Sequence, residues 1–94
     1  MGMAIRVEER KLDDIAQALG DAYTKLSSIR TALEGDHAAI KAAWEDDAAF
    51  DFSTKFDNGM ERLWDLMIAV DNMEQFLITA REMYAAAENK VLSL

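Results

Sequence analysis

The chain has 94 residues, no proline and no cysteine, with 51% hydrophobic and 30% charged residues, a balance that suits one helical domain and leaves no room for two. Without cysteine there is no disulfide, no thiolate metal site and no cysteine nucleophile. A net charge of -8 and a pI near 4.4 disfavour nucleic acid and anionic lipid, which are held by Lys and Arg, and point instead to a basic or neutral partner.

The opening Met1-Gly2-Met3-Ala4-Ile5-Arg6-Val7-Glu8-Glu9 reaches acidic residues too soon to build the apolar core of a cleaved signal peptide. Met1-Gly2 is a poor myristoylation start, because Arg6 stands where Ser or Thr is wanted; the native start is Met1 or Met3. No stretch is long and apolar enough for a membrane span, so no membrane insertion is expected.

From about residue 9 to 41 apolar residues step by three and four: Leu12, Ile15, Leu19, Ala22, Leu26, Ile29, Leu33 and Ile40. This is one helix, with Asp36 in a core register after Gly35, where the helix bends or is locally hydrated. The link, about residues 42–47, contains Ala42-Ala43-Trp44-Glu45-Asp46-Asp47 and is short enough to force an antiparallel hairpin. Asp46 or Asp47 caps the second helix, its carboxylate accepting free N–H groups at the positive end of the helix dipole.

The second helix, about residues 48–91, carries the same stepping through Ala49, Phe52, Phe56, Gly59, Leu63, Leu66, Val70, Met73, Leu77, Ala80, Tyr84, Ala87 and Val91, with Leu94 beyond it. Gly59 inside a helix suggests a kink or a close helix approach. A second apolar set, Met60, Trp64, Met67, Ile68, Phe76 and Met83, flanks the first. One hairpin hides one stripe, so two stripes predict an all-α hairpin that dimerises into a four-helix bundle. The expected dimer interface is Phe56, Leu63, Trp64, Leu66, Met67, Val70, Met73 and Leu77. Six methionines suit either an adaptable interface or gap-filling in a core.

Enzymatic readings are weak. Glu34-Gly35-Asp36-His37 has the Glu-x-x-His spacing of di-iron carboxylate bundles, but helix two offers no matching inward carboxylates. A surface imidazole beside the seam is the simpler reading of His37. Ser27, Ser28, Ser53 and Ser93 share that single histidine as the only candidate base. No catalytic, metal or cofactor site is expected.

Trp44 at the turn followed by Ala48 and Phe52, the paired long helices, and Tyr84-Ala85-Ala86-Ala87-Glu88 near the second helix end together resemble the WXG-type, ESAT-like proteins exported by type VII (Esx) secretion systems. The resemblance spans nearly the whole chain, as a single 1–94 domain. It departs at Asp46, where the family has glycine; Asp tolerates the positive φ that glycine permits, and it also caps a helix.

The resemblance implies a small virulence-associated protein made in the cytoplasm of a Gram-positive or related bacterium and secreted without a cleaved signal peptide. It implies a homodimer or a heterodimer with another WXG-type protein, delivered to the type VII secretion ATPase. Trp44, Asp46, Tyr84 and Glu88 would form the secretion signal; in an antiparallel dimer Tyr84 and Glu88 of one hairpin approach the other's Trp44. The alternative is an intracellular helical adaptor or targeting partner of a larger type VII substrate.

Overall fold

The computed structural model describes residues 7–92, with side chains through residue 89. It contains α1 (Glu9–Ala43) and α2 (Asp47–Leu92), joined by Trp44, Glu45 and Asp46. The side chain of Val91, and all of Leu94, Ser93 and the Met1/Met3 start, lie outside the described residues. No proline interrupts either helix, and among the described residues no helix is long and apolar enough to cross a membrane.

Helix α1 begins with the Lys11 and Leu12 amides donating to the Glu8 carbonyl at 2.9 and 3.2 Å. Glu9 in the first turn and Lys41 in the last suit the helix dipole. The helix runs through Ala42 and Ala43, two strong helix formers that sequence reasoning gave to the turn. It stops at Trp44, whose backbone is extended at φ -142° and ψ 115°.

Four pairs across the hairpin fix the antiparallel register: Asp13 with Arg81, Gly20 with Glu74, Arg30 with Trp64, and His37 with Phe56. The residue numbers in each add to 93 or 94, so the two helices stay in step from one end to the other. The end of the Glu74 side chain lies over Gly20, so a Cβ there would only displace that flexible carboxylate. Gly59, expected at a kink or a close approach, faces open space.

The seam repeats every seven residues, but one position away from the expected stripe. Taking Leu12 and Ala49 as heptad position a, the shared contacts are at a and e. On α1, Ala16, Tyr23, Arg30 and His37 turn inward where Ile15, Ala22, Ile29 and Asp36 were expected; on α2, Ser53, Met60, Met67 and Glu74 replace Phe52, Gly59, Leu66 and Met73. The helix therefore needs no bend at Asp36, which is exposed, while His37 is buried. Strict seven-residue repetition means that the hairpin supercoils enough to keep one edge of each helix facing the other.

The resulting core is small. Among described residues the buried apolar side chains are Ala16, Met67 and Val70, and the molecule measures 72 × 24 × 15 Å. Its radius of gyration is 21.3 Å, against about 12 Å for a compact chain of this length. One layer of helices can bury only one edge of each, whereas a typical domain needs two packed layers.

Candidate protein-recognition surfaces

The turn is held by Asp46. Its Oδ1 accepts the Ala49 amide at 2.8 Å, and its carbonyl accepts the Phe50 amide at 3.1 Å, the geometry of an N-cap. The Ala49 N–H and then the Trp44 side chain hold the Asp46 carboxyl below the ordinary carboxylate range, with the Ala48 amide adding to the effect against slight desolvation. No described residue has positive φ. Asp46 therefore acts as a helix cap with an ordinary backbone, without the positive φ that a glycine there would permit.

An aromatic ladder leads inward from this cap. Trp44 is 39% exposed and tilts against Phe52 at 6.1 Å; Phe52 lies 6.3 Å from Phe56. His37 stacks on Phe56 with centroids 4.1 Å apart and planes 27° apart, and its Nε2 is 2.9 Å from Ser53 Oγ in a hydrogen bond. The expected surface imidazole is thus a seam residue with its polar edge satisfied. Sequence reasoning missed the His37/Ser53 pair, although the Phe52/Phe56 spacing carried the signal that α2 presents a flat apolar wall there. Glu34, the other member of the Glu-x-x-His spacing, is exposed and lies 3.4 Å from Arg30 Nε, an ionic approach without hydrogen-bond alignment. Among the described residues no three metal-ligating side chains come together.

At the opposite end, Arg81 clamps the start of α1, reaching Glu9 and Asp13 at 3.2 Å each. Tyr84 is 41% exposed and Glu88 is exposed one helical turn later. Tyr84 lines a groove of about 400 Å³ with Phe76, Ala80, Met83 and Ala87. Within one chain, Trp44 and the Tyr84/Glu88 pair thus lie at opposite ends of a 72 Å rod and do not meet.

Between the ends, the expected dimer-interface residues divide four ways. Met67 and Val70 are 2% and 7% exposed and belong to the seam of a single chain, leaving almost no surface for a partner. Phe56, Leu63 and Leu77 are half-buried at the a positions, shared between the seam and one open face. Leu66 and Met73 are exposed on that open face. Trp64 stands about 200° around the helix from Leu66, on the other side of the hairpin, under the Arg30 guanidinium at 4.9 Å from its ring centre. Trp64 and Leu66 therefore face opposite sides of the hairpin, and a cation–π contact of about 0.5–1 kcal/mol already occupies part of the indole.

The open face is formed by the d and g edges of both helices. Ile15 and Leu19 of α1 meet Met73, Phe76 and Leu77 of α2 in an almost wholly apolar groove of about 490 Å³. Ile29 and Leu66 continue it toward the turn, each 50% exposed, and Phe76 is 73% exposed. Comparison with protein-family models, curated proteins and solved structures finds no match to this chain.

Proposed function

We propose that this chain is a non-catalytic recognition hairpin, one half of a four-helix assembly exported by a type VII-type secretion system. The observation that carries the proposal is the apolar face from Ile29 and Leu66 to Ile15, Met73 and Phe76, left open by a core that among the described residues buries three apolar side chains. Exposed apolar area of this kind marks an interaction surface, and a second helical hairpin supplies the missing layer. The export part rests on the resemblance: a Trp44 turn capped by Asp46 at one end, and a half-exposed Tyr84 with Glu88 at the other. Pairing antiparallel with another hairpin would set one chain's Trp44 beside its partner's counterpart of Tyr84 and Glu88, so that only the assembled pair offers both elements to the export ATPase.

The test is immunoblotting of culture supernatant and cell pellet from the native host, with a cytoplasmic protein as lysis control, in wild type and in a strain lacking the type VII ATPase. ATPase-dependent appearance outside the cell is expected, and Tyr84→Ala should retain helix content yet stay in the pellet. Retention of the wild-type chain while the system exports other substrates would replace this reading with an intracellular adaptor.

A further inference from the structure

The side of the hairpin away from the open face is not uniformly polar. Along the b positions of α2, Phe50, Asp57, Trp64, Asp71 and Ile78 alternate apolar and acidic at every seventh residue, a repeat of about 10.5 Å along the rod. Glu61 and Ile68 flank this row at f, and Phe50, Trp64 and Ile68 are 73%, 41% and 41% exposed. Beside Trp64 lies a groove of about 280 Å³ lined by Arg30, Asp57, Met60 and Glu61. The b, c and f positions of α2 carry acids from Asp47 to Glu82 and no Lys or Arg among the described residues. Four cations stand around this side. Arg30 lies over Trp64 and beside Glu34, and Arg81 holds Glu9 and Asp13. Lys41 shares a groove with Glu34 and Asp57, and Arg10 stands near the open end at the level of Glu82. Asp57, Glu61 and Asp71 nevertheless make no ion pair among the described residues.

We infer that this row is a second docking surface, for a helix of another protein that carries Lys or Arg between apolar residues at the same seven-residue spacing. Its apolar side chains rest against Trp64 and Ile68 and in the groove beside them, and its cations against Asp57, Glu61 and Asp71. The half-exposed indole supplies contact area, and the unanswered carboxylates set the sign and register of the occupant. A second copy of this chain answers the row poorly. Lys11 and Lys25 are spaced as Asp57 and Asp71 are, but Glu8 and Asp14 stand one turn from Lys11, and Asp21 one turn from Lys25. Lys55 and Arg62 have Asp51 and Asp65 in the same relation. A copy laid on the row would bring those acids against Asp57 and Glu61, and like charges across an interface disfavour the pairing. The row lies on the opposite side from Leu66 and Met73, so it stays free when the open face is covered and does not depend on what covers it.

The experiment titrates the full chain, by calorimetry at low ionic strength, with three synthetic helical peptides of one length. At heptad spacing the first alternates Leu with Lys, the second Leu with Glu, and the third Ala with Lys. The Leu/Lys peptide should bind at least about tenfold tighter than either of the others, its lead over Leu/Glu narrowing as salt is added. Asp57→Asn/Asp71→Asn, with its fold checked by circular dichroism, should weaken Leu/Lys binding at least about fivefold. Asp14→Asn/Asp21→Asn makes the same change of net charge on the outer edge of α1, and Leu66→Asp blocks the open face; both should bind Leu/Lys within about twofold of wild type. Equal weakening by the two Asn variants would reduce the effect to net charge, and equal binding of Leu/Lys and Ala/Lys would remove the apolar contact with Trp64. Loss of binding in Leu66→Asp would seat the peptide on the open face. Self-association in light scattering that Asp57→Asn/Asp71→Asn abolishes and Leu66→Asp does not would give the row to a second copy. Each of these results overturns the inference and leaves the export reading to its own test.

Discussion

Leu66 and Met67 are adjacent in the chain and similar in size, yet one is 50% exposed and the other 2%. The same contrast separates Ile15, 46% exposed, from Ala16, 6% exposed, across the hairpin. Two helices touching along a and e leave d and g outside, so an apolar stripe broad enough for a, d and part of e is split between an internal seam and an open face. The width of the stripe, not its existence, is what distinguishes half of a bundle from a finished domain.

The strongest way to break this comparison is to cut the same region on each side. Met67→Ala should lower stability by about 2–5 kcal/mol, since it opens a cavity in a core too small to close around it. In circular dichroism melts this should appear as a large loss of Tm, with much of the helix signal gone at ordinary temperature. Leu66→Asp should leave the single hairpin's melt nearly unchanged while abolishing association with a partner in light scattering. Equal effects of the two changes would merge the seam and the open face.

His37 sharpens the seam side. His37→Ala removes the stack on Phe56 and leaves Ser53 Oγ without its partner, a loss of about 1–3 kcal/mol in denaturant melts. His37→Phe should recover part of it, because the ring is kept and only the hydrogen bond is lost. No recovery would make the hydrogen bond, not the stack, the source of the effect.

Asp46 tests the turn that holds the two helices in register. Asp46→Ala should lower Tm, and Asp46→Asn should nearly preserve it, because Asn keeps the acceptor for the Ala49 amide. As a carboxyl whose folded pKa is depressed, Asp46 contributes stability above the ordinary carboxylate range and loses it as the pH falls through its folded value. Wild type should therefore lose more Tm than the Asn variant on acidification below about pH 4. The smallest effect belongs to Arg81→Ala at the open end, about 0.5–1 kcal/mol for two partly exposed ion pairs, and it should shrink in high salt.

The sequence made the hairpin legible because apolar spacing, absence of proline and an Asp-rich link all favour the same arrangement. The link was read too long because Ala42 and Ala43 carry no stop signal; Trp44 and the Asp46 cap do. The seam was placed one residue off because Leu12, Leu19, Leu26 and Leu33 serve seam and open face alike. Hydrophobicity then favours Ile15 and Ile29 over Ala16 and Arg30, but Arg30 can enter the seam through its long apolar stem, and His37 through a ring and one satisfied nitrogen. Gly59 faces open space and Gly20 lies under the Glu74 carboxylate, a difference that depends on the facing helix and so cannot be read from one helix. Trp64 shows the same limit: its size is visible in the sequence, but the Arg30 that stacks on it within the hairpin is not.

The split stripe is tested most directly by thiol labelling. The chain has no cysteine, so Leu66→Cys and Met67→Cys variants each carry a single reactive group, and their modification rates can be compared at high dilution under native conditions. Rapid labelling of the Leu66→Cys variant and strong protection of the Met67→Cys variant is the result expected of an a/e seam with an open d/g face. Protection at position 66 with free labelling at 67 would place the seam on the other edge of the stripe and contradict the account.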